Sequence, residues 1–152
     1  MAKTEKPKSC GLVCMFGVAV LLMIIGFVLR IVESMLTMDY YMDPAYFGVW
    51  SNLMMPTAGP PPTQFYLVSM LFGLITSLII VWAYHAISSI LSTQGWMRKG
   101  VFFGIFLFLL IQAPGMLSMM LMINLPAALL FAWLVTGFVI SMIDGLVLAK
   151  LC

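Results

Sequence analysis

Four long apolar stretches restrict what this chain can fold into more than any other feature. They cover about residues 11–29, 65–91, 100–123 and 126–149. A helix needs about 20 apolar residues to cross about 30 Å of hydrocarbon, because each residue advances about 1.5 Å. In lipid, every backbone hydrogen-bonding group must be satisfied internally. The sequence therefore predicts an all-α integral membrane protein, a four-helix bundle that residues 1–152 form as a single domain.

The composition excludes an ordinary soluble domain. Hydrophobic residues make up 64% of the chain and charged residues only 8%, whereas about 25% of residues are charged in soluble domains. We therefore expect the lipid bilayer to cover most of the surface.

The distribution of basic residues predicts the orientation, because loops rich in Lys and Arg stay in the cytoplasm. With four crossings, only Arg30 lies on the outer side, near Glu33. We expect both termini in the cytoplasm of a multi-pass protein of the cell inner (plasma) membrane, with an outer loop at about residues 33–64. The inner-side basic residues are Lys3, Lys6, Lys8, Arg98, Lys99 and Lys150.

The outer loop, which contains "MDYYMDPAYFGVWSNLMMP", is rich in aromatic residues. Tyr40, Tyr41, Tyr46 and Trp50 are of the type that anchors a chain at the membrane–water boundary. Pro44 directly after Asp43 favours a helix start. The loop therefore predicts a short interfacial helix over residues 44–55, and a lid over a ligand is the alternative.

Small residues recur at four-residue spacing on two of the predicted helices. The second helix carries Ser69 and Gly73, and the fourth carries Gly137, Ser141 and Gly145. Small residues let membrane helices approach each other closely. We interpret them as a helix-packing seam, either within one chain or between copies.

Polar residues and a proline occur near the middle of the third helix. Gln112 and Pro114 predict a kink, because proline lacks an amide hydrogen. Ser77 and Thr136 are expected at a similar depth on neighbouring helices. We expect these residues to form either a hydrogen-bonded layer that fixes the helix register or the narrow part of a transport pathway.

One carboxylate and the single histidine lie inside the apolar stretches. Asp144, within "VISMIDGLVLAK", and His85 both fall about 9 Å from the cytoplasmic ends of their helices. An ionisable group at this depth usually has a partner or a function. We predict that the two form an inner polar site, either a structural clasp or a proton or ion relay, with Arg98 and Lys99 as competing partners of Asp144.

The residues predict no metal site and no cofactor. Thioethers select Cu(I), so copper handling on the periplasmic face is an open alternative, although methionine is more often a flexible apolar filler. The cysteines lack the spacing of a redox pair, and the inner loops lack further zinc ligands. The methionines expected near the outer face are Met35, Met38, Met42, Met54, Met55, Met116, Met119, Met120 and Met122.

The sequence contains no nucleotide-binding loop, nucleophile elbow or pair of catalytic carboxylates. We therefore predict that the protein is not an enzyme. The basic N-terminus is short and contains Glu5, which favours contact with anionic lipid rather than nucleic acid.

The second half of the chain resembles small uncharacterised bacterial inner-membrane proteins. The resemblance covers about residues 99–149, where a Lys-Gly opens one helix, a Pro-Gly lies mid-helix and an Asn-x-Pro turn precedes a Trp-bearing helix. A weaker similarity occurs in "VWSNLMMP". The resemblance implies a four-helix membrane protein of prokaryotic type and implies no activity.

Three functions fit these features. The scarcity of polar residues favours a structural or accessory protein, oligomeric or a subunit of a larger membrane complex. The first alternative is a small homo-oligomeric transporter or channel that uses His85 and Asp144. The second is copper handling by the outer methionines.

The orientation gives the first testable prediction. Reporter domains fused at residue 1 and at residue 152 should both be active only in the cytoplasm. A periplasmic reporter inserted in the loop at residues 33–64 should be active outside. Fusions at the two termini that report opposite faces would contradict the predicted topology.

Overall fold

A computed structural model describes residues 11–57, 59–91 and 95–152, and these residues form helices without any strand. The N-terminal lysines at positions 3, 6 and 8 and Gln94 of the predicted inner loop lie outside the described residues. In chain order the helices are α1 (Leu12–Leu36), α2 (Met38–Tyr41), a 3-10 helix (Pro44–Val49), α3 (Thr63–Ile87), α4 (Trp96–Leu107), a π-helical turn (Phe108–Gln112), α5 (Ala113–Met122) and α6 (Ala127–Leu151).

The predicted all-helical fold with four long apolar helices is confirmed. In the described part of the chain, α1, α3, the continuous run Trp96–Met122 and α6 are each long and apolar enough to cross a membrane. These four helices support a multi-pass membrane protein. We call the end that contains Arg98, Lys99 and Lys150 the basic end, and the end that contains residues 37–57, 59–62 and 123–126 the loop end.

The first helix is longer than expected. It continues past residue 29 to Leu36 and so contains both Arg30 and Glu33. The Thr37 amide donates to the Glu33 carbonyl oxygen at 3.0 Å, which closes the last helical turn. The Thr37 hydroxyl lies 2.9 Å from both this oxygen and the Glu33 carboxylate, so its one hydrogen is available to the buried acid.

The loop between α1 and α3 is only partly helical. The 3-10 helix begins at Pro44, and the Asp43 carboxylate accepts a hydrogen bond from the Ala45 amide at 2.9 Å. The helix ends at Val49, which is earlier than the expected residue 55. A proline at the first position and an Asp cap explain where the helix starts.

The third long helix contains a π-helical turn where a proline kink was expected. The turn covers Phe108–Gln112, and the Ala113 amide donates to the Phe108 carbonyl five residues earlier. Pro114 lies two residues after the turn, and its ring would crowd the carbonyl four residues earlier in a regular helix. A wider turn accommodates such a residue while the helix continues.

α4 and α6 make backbone-to-backbone contact through glycines. A Cβ atom added at Gly145 would overlap the Gly100 carbonyl oxygen and lie 2.7 Å from the Gly104 amide nitrogen. One added at Gly104 would lie 2.8 Å from the Ser141 carbonyl oxygen. The spacing of these small residues therefore brings the two helices to their closest approach at the basic end.

The apolar core also lies toward the basic end. Tyr84 of α3 packs edge-on against Phe103 of α4 with 5.0 Å between ring centroids, and both side chains are fully buried. They join α3 to the pair formed by α4 and α6. The other buried members of this core are Val18, Ala19, Leu22, Val81, Leu107 and Leu148.

The glycine contact predicts the effect of adding one methyl group. Gly145→Ala should lower the free energy of unfolding in detergent by about 1–3 kcal/mol, because the backbone of α4 leaves no space for a Cβ atom. Gly17→Ala is the matched control, since an added Cβ atom meets nothing within 4 Å there. Equal stability of the two variants in denaturant titrations would contradict the contact.

Candidate functional site

A cavity of about 880 Å³ lies between the long helices. We call it the bundle cavity. It extends from the loop residues Trp50 and Met54 to Asp144 on α6. The core around Tyr84 and Phe103 closes the molecule at the basic end, so the bundle cavity occupies the central and loop-end part of the protein.

The lining residues follow the period of a helix. On α6, the residues Trp133, Ile140, Ser141 and Asp144 line the cavity, and this spacing puts them on one face. The other helices contribute similar stripes. These include Leu22, Met23, Gly26, Phe27, Arg30, Ile31, Glu33 and Ser34 of α1, and Phe65, Tyr66, Ser69, Met70, Gly73, Thr76, Ser77 and Ile80 of α3.

The small residues of α3 line this cavity. Ser69, Gly73 and Ser77 all border it, and a Cβ atom at Gly73 would lie 3.3 Å from the Met23 side chain of α1. On α6 the predicted seam is divided, since Ser141 borders the cavity, whereas Gly145 contacts α4 and Gly137 contacts the Gln112 side chain. The two glycines of α6 therefore serve close contact, while Ser141 and the small residues of α3 leave space for the cavity.

Asp144 is the deepest charged residue of the bundle cavity. Its side chain is 5% exposed, and its Oδ1 atom is buried without a hydrogen-bond partner. Ser141, one turn earlier on the same helix, is also buried and lines the cavity. A buried carboxyl oxygen without a partner is unfavourable unless a proton or a polar partner satisfies it.

The structure does not join Asp144 to His85. The His85 Nε2 atom is also buried without a hydrogen-bond partner, and His85 is not among the residues that line the bundle cavity. His85 instead meets the Tyr84 ring edge-on, with 6.3 Å between centroids. The two residues therefore occupy separate surroundings in this structure.

Two basic residues at the same end of the bundle have aromatic neighbours. The Lys99 ammonium lies 5.3 Å from the centroid of the Tyr84 ring, and the Lys150 ammonium lies 5.7 Å from that of Trp96. Such cation–π contacts hold both lysines at the basic end. Asp144 consequently has no cationic partner within the part of the chain that the structure describes.

Only part of the predicted mid-membrane layer lines the bundle cavity. Gln112 and Ser77 both line it, whereas Thr136 and Pro114 do not. The Gln112 side chain packs so closely on Gly137 that an added Cβ atom would lie 2.9 Å from its amide carbon. No side-chain hydrogen bond links these polar residues among the described segments, so the layer supplies polar groups to the cavity.

Aromatic side chains cover the loop end of the bundle cavity. Tyr41 stacks on Trp50 with 5.0 Å between centroids, and the Trp133 indole donates to the Tyr41 hydroxyl at 2.8 Å. Burial, together with the nearby negative charge of Glu33, raises the pKa of Tyr41 to about 12. The Trp50 Nε1 atom is buried without a partner. Of the predicted anchors, Tyr41 and Trp50 thus form a roof, while Tyr40 and Tyr46 are half-buried in the loop.

Two residues of opposite charge lie beneath this roof. Arg30 and Glu33 are three residues apart on α1, both line the bundle cavity, and they attract each other electrostatically. Glu33 is 7% exposed. Since the two charges offset each other, they leave Asp144 as the unbalanced charge of the cavity wall.

Methionines make up much of the remaining wall at the loop end. Six of the nine that were expected near the outer face line the bundle cavity, while Met35, Met120 and Met122 do not. Flexible, polarizable thioethers adapt to ligands of different shape. The six are Met38, Met42, Met54, Met55, Met116 and Met119.

No protein-family model, curated protein or solved structure matches the chain. Within the described residues, no group of three or more His, Cys, Asp or Glu side chains is arranged to hold a metal ion. A functional assignment therefore depends on the bundle cavity itself.

The roof gives a testable prediction about the loop. Tyr41→Phe keeps the ring that stacks on Trp50 but removes the acceptor of the Trp133 indole, so it should lower the free energy of unfolding by about 1 kcal/mol. Denaturant titration followed by tryptophan fluorescence measures this change. Tyr46→Phe is the control, and an equal effect of the two substitutions would contradict the role of the hydrogen bond.

Proposed function

We propose that this chain is a small membrane protein that binds a membrane-soluble small molecule in the bundle cavity, as the binding unit of a small transporter. The observation that carries the proposal is a large cavity between the long helices that is lined by a buried carboxyl oxygen without a hydrogen-bond partner.

The size and lining of the cavity support this function. Ligand sites in proteins commonly have volumes of about 300–1,000 Å³ and are mostly apolar, with a few polar groups that orient the ligand. The bundle cavity, at about 880 Å³, falls within this range. Its polar groups are spread along its length, with Trp50 at the roof, Gln112 and Ser77 in the middle and Asp144 at the far end.

The position of the polar groups within candidate membrane spans also supports transport. Ionisable residues inside membrane segments usually mark a substrate or ion pathway. The π-helical turn before Pro114 includes Gln112, and such turns occur frequently at functional sites. We further propose that binding, rather than chemical conversion, is the function of these groups.

For the topology we propose an inner (plasma) membrane location with the basic end in the cytoplasm. Arg98, Lys99 and Lys150 support this orientation through the preference of basic residues for the cytoplasmic side. Asp39 and Asp43 belong to the opposite end. The short helix that begins at Pro44 would then lie at the outer boundary of the bilayer, and the resemblance to bacterial proteins favours a prokaryotic membrane.

Assembly with other membrane chains is part of the proposal. On α3, only Ser77, Val81 and Tyr84 are buried within the chain, and Trp82 is 67% exposed. Such a face suits lipid, a second copy or a different subunit, so an accessory role in a larger complex is compatible with ligand binding. The six methionines of the wall make a soft metal ion such as Cu(I) a second candidate ligand.

A substitution that fills the cavity tests the proposal. Ser69→Phe places an aromatic ring in the bundle cavity, whereas Ile79→Phe places the same ring on the exposed face of the same helix. In lipid nanodiscs, energy transfer from tryptophan to neutral pyrene should fall to the bilayer background in Ser69→Phe, because Trp50 and Trp133 line the filled space. It should stay at the wild-type level in Ile79→Phe.

Equal energy transfer in the two variants would contradict the proposal. The chain would then fit the structural or accessory role better. Sizing in mild detergent with mass spectrometry of the accompanying subunits would identify the complex in that case.

A further inference from the structure

We infer that the ligand of the bundle cavity is a lipophilic organic cation, with Asp144 as its counter-ion. This inference rests on the proposed function and specifies the class of ligand. The charged residues that line the cavity are Arg30, Glu33 and Asp144.

The cavity wall carries one unbalanced negative charge. Arg30 and Glu33 interact with each other near the roof, so neither is a free counter-ion for a ligand deeper in the bundle. Asp144 lies 11 residues beyond Trp133 on the same helix, which corresponds to about 17 Å along the axis. An anionic ligand at this depth would meet a carboxylate without a compensating cation, which is unfavourable.

The Asp144 side chain is placed to receive a positive charge. It is 95% buried, its Oδ1 atom has no hydrogen-bond partner, and no described basic residue forms an ion pair with it. The terminal torsion of Asp is broad, so a small rotation presents either oxygen to the cavity. A buried carboxylate without water needs a proton or a cation to offset the cost of desolvation.

The rest of the wall favours an organic cation over a small metal cation. Ions such as Ca²⁺ take six to eight oxygen ligands, but the cavity wall is mainly apolar and includes Leu22, Ile80 and Leu107. An organic cation carries its own apolar groups and needs no such shell. Toward the loop end, the aromatic rings of Tyr41, Trp50 and Trp133 offer surfaces to which cations are attracted.

A pair of ions with the same shape and opposite charge tests the inference. Tetraphenylphosphonium and tetraphenylborate should be titrated into the full chain in nanodiscs, with each variant measured against the same lipid background. We expect Asp144→Asn to weaken tetraphenylphosphonium binding by about tenfold or more. Tetraphenylborate binding should stay the same or become stronger, because the substitution removes a repulsive charge.

Two further variants separate charge from structure. Asp144→Glu retains the carboxylate and should preserve most of the binding of tetraphenylphosphonium. Ser69→Phe should reduce it, since the ring fills the cavity. Neutral pyrene should still reach the cavity of Asp144→Asn, which shows that this variant is folded and that only the charge has been lost.

Equal binding of tetraphenylphosphonium to wild type and Asp144→Asn would overturn the inference, and the carboxyl group would then serve as a proton site only. If pyrene nevertheless depends on Ser69, the proposed ligand-binding function stands without the cationic ligand. If neither probe responds to Ser69→Phe, both the function and the inference fail.

Discussion

The glycine-mediated contact between α4 and α6 is the constraint on which the rest of the structure depends. In lipid, apolar side chains gain little by leaving their surroundings, so helices associate through close packing. Gly100, Gly104 and Gly145 allow the two backbones to touch. This pair provides the wall on which α1 packs and against which Tyr84 anchors α3.

The distribution of side-chain size then explains why the interior is solid at one end and hollow at the other. Near the basic end, Tyr84, Phe103 and Leu22 fill the space between the helices. Farther along, α3 presents Ser69, Gly73 and Ser77 to the interior. These small side chains leave the space between the helices unfilled, and aromatic residues of the loop cover this space.

Much of the fold follows from the sequence, because hydrophobic length alone determines how many helices can cross a membrane. The site follows less completely. The depth of Asp144 and Gln112 could be predicted, since depth depends only on counting residues. The side chains that they contact could not be predicted, because a contact between two helices depends on how each helix is rotated about its axis. His85 shows the difference, since it lies apart from the bundle cavity that Asp144 lines.

The roof was the least predictable part of the site. Aromatic residues in the loop suggested anchors, yet Tyr41 and Trp50 reach Trp133, 92 residues from Tyr41 in the chain. The small-residue spacing was also ambiguous, because Gly145 serves helix contact whereas Ser69, Ser77 and Ser141 border the cavity. A glycine that faces glycines on the neighbouring helix, as Gly145 faces Gly100 and Gly104, marks a close contact.

The π-helical turn at Phe108–Gln112 has a consequence for which side chains the third long helix turns toward the cavity. The turn holds one residue more than a regular α-helical turn would, and one residue corresponds to about 100° of rotation. The faces of α5 are therefore rotated by about this angle relative to those of a helix that continued α4 without the turn. With this offset, α4 keeps its glycines against α6 while α5 turns Met116 and Met119 toward the cavity.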